Sequence, residues 1–528
     1  MRTGDGDTGG PGSARSGATL GALLTSMDTR PAVLAPGRMA LDHAGLHEQL
    51  RRTAGMLAAA GLTSADTVAL VLPNGPEMTT AFLAVATCAV AAPLNPAYRD
   101  AEFTFYLEDL RPELLIVASG YDGPARDVAT RLSIPVASLT VPHDAPAGVF
   151  NLDVGGETSA PSHLPPREPG DRALLLHTSG TTSRPKIVPL SQENLAVSAA
   201  NIGRALALGP DDRCLSVMPQ FHIHGLVAAT LAPLAARGSV SSPSGFDALH
   251  FLRWVESERP TWYTAVPTMH QAVLARARRQ PEQARAAGLR LIRSSSASLP
   301  PAVYSELAEM FACPVIESYG MTEAAHQMTS NPLGAGQQKP GSVGVAAGPE
   351  VCVVDEAGVA LDSDDIGEIT ISGTNVTAGY VANEEANAGS FFVDSEGRRW
   401  FRTGDQGRFD VEGYLYITGR LKELINRAGE KIAPREVDDV LAEFPGVEQA
   451  VTFAIRHKSL GEDVAAAIVL VEGMDVDLDD LRGFARARLA AYKVPRKILV
   501  VDEIPKGSTG KLQRIGLARL LGLEEADA

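Results

Sequence analysis

From about Ala18 onward, helical and strand-like patterns of apolar residues alternate along the chain. Residues 41–61, LDHAGLHEQLRRTAGMLAAAG, read as an amphipathic helix stopped by Gly61, and DTVALVLPNG, from Asp66, as a short buried strand ending in a turn. MTTAFLAVATCAVAAPLNP, from Met78, repeats the helix-then-turn arrangement. PELLIVAS, RALLLHTSG and TWYTAVPT are short apolar runs bounded by Gly, Pro or Ser, the pattern of strands in a mostly parallel sheet covered by helices. From about Ala347 the pattern becomes EVCVVDEAG, GEITISG and GYLYITG, alternating strands with turn residues that predict a small antiparallel sheet or barrel.

The last unit reads as helix REVDDVLAEF, strands QAVTFAIRH and DVAAAIVLV, helix LDDLRGFARARLA and strand KILVV. Its boundary falls at Gly419 to Lys422. The predicted fold is therefore α/β. A large N-terminal domain, 18–419, is built of mixed α/β layers with a small β-barrel-like subdomain, and a small α+β C-terminal domain, 420–528, follows it. Residues 1–17, rich in Gly and Ser, are expected to form a disordered tail.

Composition narrows the function. The 528 residues carry 63 acidic side chains against 47 Lys and Arg, a formal charge of −16, which disfavours a nucleic-acid binder. With 45% hydrophobic and only 21% charged residues, the chain can bury a large core. Cys88, Cys214, Cys313 and Cys352 lie far apart with no CxxC pair, so neither a zinc site nor a disulfide framework is indicated, and a reducing cytoplasm fits best. No run of about 18 apolar residues suggests a membrane span, no apolar segment follows the first arginines, and EEADA at the end carries no peroxisomal or prenylation signal. The expectation is a cytoplasmic protein with no membrane and no nucleic-acid partner; its oligomeric state is left open.

Chemistry concentrates in Thr178-Ser179-Gly180-Thr181-Thr182-Ser183-Arg184-Pro185-Lys186, directly after ALLLH. A loop rich in hydroxyl and amide donors and ending in a cation suits a polyphosphate. A solvated Ser/Thr surface loop has the same composition, and the spacing is not that of a Walker A loop, here or at Gly507-Ser508-Thr509-Gly510-Lys511.

Other segments change that weighting. TSGTTSRPK resembles the phosphate loop of the adenylate-forming acyl-CoA synthetase superfamily, and Tyr319-Gly320-Met321-Thr322-Glu323, Arg402-Thr403-Gly404-Asp405, Gly419-Arg420-Leu421-Lys422-Glu423 and Thr509-Gly510-Lys511 resemble its other core motifs in the family's order. The resemblance spans residues 18–518. It implies that a carboxylate attacks the α-phosphate of ATP and that the acyl group then passes to the thiol of CoA. Lys186 with Thr178, Ser179, Gly180, Thr181 and Thr182 would hold the β- and γ-phosphates. Glu323 would help hold Mg2+ and Thr322 would donate to the α-phosphate. Asp405 with Arg420 would hold the ribose diol, and Tyr319 would pack on adenine. Lys511 would bridge the carboxylate and the α-phosphate; Lys422 matches the hinge of a mobile C-terminal domain, and Gly429 the glycine past which pantetheine runs.

Ser183 and Ile187 stand where many members carry glycine. Within the superfamily TSRPK is similar to the oxalate–CoA ligase subgroup, as are Phe221-His222-Ile223-His224-Gly225, Ser294-Ser295-Ser296-Ala297-Ser298-Leu299, the run from Met321 to Met328, Ser330-Asn331-Pro332 and Lys339-Pro340-Gly341-Ser342-Val343-Gly344. Gly320 and Val345-Ala346-Ala347 depart from it. The resemblance implies a small polar acid. An acid that keeps a second carboxylate needs donors rather than an apolar slot, and His222, His224, Ser295 and His326 are the candidates. A second reading keeps adenylation but changes the acid to another small oxyacid, nitrite included, and the acceptor to an amine or a carrier thiol. A third is a non-catalytic nucleotide-binding scaffold on the same fold, which the presence of both Lys511 and Glu323 disfavours.

Overall fold

The computed structural model describes residues 18–155, 166–178, 185–471, 473–505 and 514–523. These residues form four sheets. In the nine-stranded sheet the strand order is Val345–Ala346, His326–Ser330, Val315–Met321, Leu291–Ser294, Trp262–Ala265, Arg213–Ser216, Ser239–Ser241, Pro31–Leu34, Leu41–Asp42. Its central pairs are parallel and its edge pairs antiparallel. The seven-stranded sheet runs Asn151–Asp153, Val136–Thr140, Leu114–Ala118, Thr67–Val71, Val90–Pro93, Arg172–His177, Ile187–Ser191. One core joins the two sheets, and the helix Pro76–Cys88 is buried nearly all round within it, its apolar residues spread over every face and Thr79 and Thr80 buried among them. The helix His43–Ala59 starts where Asp42 caps it, the carboxylate accepting from the Gly45 N–H at 2.7 Å, and ends before Gly61 at φ 88°.

The antiparallel subdomain is an open sheet rather than a barrel. Its eleven-residue strand Arg399–Phe409 pairs with Gly367–Ser372 on one edge, and with Phe391–Val393 and Leu415–Arg420 in succession on the other. The strand Glu350–Val354 pairs with Gly367–Ser372 and no further strand among the described residues, so nothing closes the ring. The MTTAFLAVATCAVAAPLNP segment is also more than helix and turn: after the helix, Val90–Pro93 enters the seven-stranded sheet.

After Leu415–Arg420 a short 3-10 turn, Leu421–Glu423, leads into the last sheet, Glu430–Ile432, Ile425–Arg427, Gly461–Leu470, Val447–His457, with Lys497–Val500 paired to Gly461–Leu470. The helices Pro434–Ala442 and Leu478–Arg486 pack with it into one core, and Ile504 and Leu517 complete a second. Among the described residues no helix is long and apolar enough to cross a membrane.

Candidate active site

The loop expected to hold phosphate lies between the antiparallel strands Arg172–His177 and Ile187–Ser191. Thr178 and Lys186 close its neck: the Thr178 N–H donates to the Lys186 carbonyl at 2.9 Å and the Lys186 N–H to Thr178 Oγ1 at 3.2 Å. Ser179, Gly180, Thr181, Thr182 and Lys511 lie outside the described residues. Ile187 has a packing role, being buried in the core against which the helix Asp100–Leu110 sits.

Lys186 Nζ stands over the Tyr380 ring, 4.4 Å from its centroid, and the Tyr380 hydroxyl donates to Glu323 Oε1 at 2.8 Å. Tyr380 thus joins the two charged groups, and sequence reasoning missed it. Partial burial, then the nearby charge of Lys422, lowers the Lys186 pKa. Glu323, 6% exposed, is pushed up by burial against the pull of Tyr380, Arg420 and Lys186. Thr322 opens the one-turn 3-10 helix that carries Glu323, half-buried beside it.

Across the open sheet Asp405 and Arg420 are register partners. The buried Asp405 carboxylate accepts from the Tyr319 hydroxyl at 2.5 Å and from Arg420 Nε at 2.7 Å. Asp405 raises the Arg420 pKa, and burial together with that carboxylate raises the Tyr319 phenol. Lys422 is exposed in the 3-10 turn between the last two sheets. Gly429 turns the hairpin Ile425–Arg427/Glu430–Ile432 at φ 94°, with nothing within 4 Å of where a Cβ would stand. Arg514 anchors the segment that follows Lys511: it pairs with Asp438, and at 3.2 Å with Glu423, the neighbour of Lys422.

The acid-side candidates divide. His224 is buried at the start of a π-helix, His224–Leu231, a form that recurs at functional sites. Its Nε2 lies 2.6 Å from Thr264 Oγ1 and its Nδ1 3.1 Å from Ser296 Oγ. Gly225 permits this, since a Cβ there would stand 2.2 Å from the Pro219 carbonyl oxygen. The His326 ring, also buried, is 4.8 Å from that of His224. Its backbone is held at φ 99°, after Ala325 at φ 49°, unusual conformations for side chains other than glycine. Gly320, the departure from the subgroup pattern, is required here: a Cβ would stand 1.9 Å from the His326 carbonyl oxygen and 3.0 Å from its Nδ1.

His222 is half-buried with its ring 4.5 Å from that of Phe221. Ser295 donates its hydroxyl to the Ser318 carbonyl at 3.0 Å, tying two strands together, whereas Ser296, at φ 73°, is the serine on His224. SNP and KPGSVG brace each other, Asn331 donating to the Ser342 carbonyl at 2.7 Å, and Lys339 is paired with Asp410 and Glu412.

This combination of a phosphate-loop hairpin, a buried glutamate and a carboxylate held by tyrosine and arginine meets a family match. The AMP-binding enzyme model matches residues 25–381 and the AMP-binding enzyme C-terminal domain model residues 436–511. The chain belongs to the AMP-binding enzymes. An oxalate–CoA ligase of Arabidopsis thaliana is 43% identical over 510 residues, covering 94% of this chain and 97% of the relative. That of Saccharomyces cerevisiae is 39% identical, covering 85% of this chain and 86% of the relative, and a sulfoacetate–CoA ligase of Cupriavidus necator is 36% identical over 94% and 97%. Among solved structures, ATP-bound MatB from Rhodopseudomonas palustris superposes with a TM-score of 0.86 at 30% identity, covering 96% of this chain and 99% of that one; the apo form gives 0.76. The protein is an AMP-forming acid–CoA ligase.

Proposed function

We propose that the chain adenylates oxalate with ATP, passes the oxalyl group to CoA and releases AMP and pyrophosphate. The observation that carries the choice of acid is the polar cluster of His224, Ser296, Thr264 and His326, where an aromatic or fatty acid would need an apolar slot. The relatives named oxalate–CoA ligase support the same reading.

An oxalate oxygen attacks the α-phosphorus and the bond to pyrophosphate breaks. The CoA thiolate then attacks the acyl carbon and the bond to AMP breaks. Lys186, Thr178, Ser179, Gly180, Thr181 and Thr182 hold the departing pyrophosphate, Thr322 the α-phosphate, and Lys511 neutralises charge between carboxylate and α-phosphate. Asp405, aligned by Tyr319 and Arg420, accepts from the ribose hydroxyls, while the Tyr319 ring packs against adenine. Lys422 serves as the pivot between the domains at 18–419 and 420–528, and Gly429 leaves room for the pantetheine arm.

Glu323 is the residue that would hold Mg2+. One buried carboxylate fits an ion completed by substrate phosphates, and no cluster of three or more His, Cys, Asp or Glu that could cage a metal occurs among the described residues. When bound, the ion supplies positive charge to the phosphate oxygens.

The test is kcat/KM for oxalate, malonate, sulfoacetate and acetate at saturating ATP and CoA. Oxalate should lead; leadership by acetate, which has no second anionic group, would contradict the reading.

A further inference from the structure

Arg293, in the strand Leu291–Ser294, is fully buried, and neither the adenylation chemistry nor the family motifs use it. Its guanidinium makes two long contacts with neutral oxygens: Nη1 to Thr264 Oγ1 at 3.4 Å and Nη2 to Gln327 Oε1 at 3.2 Å. Nε has no hydrogen-bond partner, and no ion pair to Arg293 occurs among the described residues. The Cys214 thiol, two strands away across Trp262–Ala265, is the one group that favours its charge, and burial keeps that thiol protonated. Burial pushes the Arg293 pKa down to about 9, which still leaves it a cation at neutral pH. An uncompensated buried cation is costly, so it persists where an anion arrives to balance it.

The direction of the hydrogen bonds says where that anion would sit. A guanidinium only donates, so Thr264 Oγ1 accepts from it and has its own proton to give to His224 Nε2, 2.6 Å away. The His224 proton then resides on Nδ1 and is donated to Ser296 Oγ at 3.1 Å, leaving the Ser296 proton to point onward. Each donor in such a chain polarises the next.

We infer that Arg293 is the buried counter-charge for the second, non-reacting carboxylate of the acid, acting through Thr264, His224 and Ser296 as a positioning residue that selects dianionic over monoanionic acids. This rests on the proposed function above.

The experiment compares oxalate with oxamate, in which a neutral amide replaces the second carboxylate, using the full chain, its Arg293→Met variant and, as a second cut that keeps Arg293, Thr264→Val. The Met variant should raise KM for oxalate roughly 30-fold or more, with KM for ATP and the use of oxamate little changed. Thr264→Val should move the same preference in the same direction, and Arg293→Lys should recover part of it. Thermal unfolding and ATP binding check that the variants fold; if the Met variant does not, Thr264→Val carries the comparison. Preference for oxalate retained in the variants, or equal losses for oxalate and oxamate in folded protein, overturns the inference while leaving the choice of substrate intact. A parent enzyme that uses no acid with a second anionic group overturns both.

Discussion

At the residue scale Tyr380 links the two charged groups that the motifs had already marked. Its ring lies under Lys186 and its hydroxyl donates to Glu323, whose pKa burial drives upward. Tyr380→Phe keeps the ring and removes the donor that favours the ionised carboxylate. The acidic limb of the rate profile should therefore move to higher pH, and activity at limiting Mg2+ should fall about tenfold or more. A variant with the parental profile would remove Tyr380 from the site. This residue was not legible in sequence, because it is 57 positions from Glu323 and its surroundings, AGYVANEE, carry no chemical pattern. Asp405, Arg420 and Tyr319 were legible through their motifs, and the structure brings them together. Ser295 and Ser296 are chemically identical neighbours. Only the left-handed backbone at Ser296 decides which of them meets His224, and periodicity carries no such information.

At the element scale the strands Val315–Met321 and His326–Ser330 form the antiparallel pair that carries Tyr319, Gly320 and His326. The register shifts between Tyr319 and Gly320, and there His326 closes on the glycine. Gly320→Ala would force backbone apart rather than a flexible side chain, since the nearest atom is the His326 carbonyl oxygen. The variant should lose about 3 kcal/mol or more of stability, seen as a lower denaturation midpoint, together with most of its acid-activating rate. Unchanged stability and activity would contradict this account of the hairpin. The strongly patterned helices and strands could be read from apolar periodicity, including all five elements expected of the last unit, while many shorter ones were not. The π-helix at His224 could not: its residues are buried all round and, His224 and Thr230 apart, carry no polar side chain to mark a helical stripe, and its widened turns answer to packing against other elements. The open edge of the antiparallel subdomain was equally hidden, because strand alternation does not say whether first and last strands meet.

At the scale of the whole molecule, the small last domain approaches a cleft of about 600 Å³ walled by Ser298, Gly341 and Thr418 on one side and by Lys431, Arg435 and Asp439 on the other. Behind Gly341 lies Glu317, 4% exposed, accepting from the Gly341 N–H at 2.9 Å. Burial pushes its pKa to about 7, with Arg435 pulling it down and Asp439 pushing it up from across the cleft. The folded protein keeps that proton between pH 4.5 and about 7, where the unfolded chain has already released it, so this group's contribution to stability falls as pH rises through the window. The loss should reach about 3 kcal/mol at pH 8, and Glu317→Gln should abolish it, making the variant the more stable protein at that pH. Parallel stability curves for the two proteins from pH 5 to pH 8 would show that the carboxyl is not held in its neutral form.

The central claim is that an acid oxygen attacks the α-phosphorus to form an acyl-adenylate that the CoA thiolate then cleaves, and isotope transfer from labelled oxalate tests it most directly. With oxalate carrying oxygen-18, ATP, Mg2+ and CoA, mass spectrometry should find oxalyl-CoA and an equal amount of AMP bearing one labelled oxygen, because the attacking oxygen stays with the phosphate when the thiol displaces it. ADP and phosphate as products, or unlabelled AMP beside oxalyl-CoA, would contradict the account.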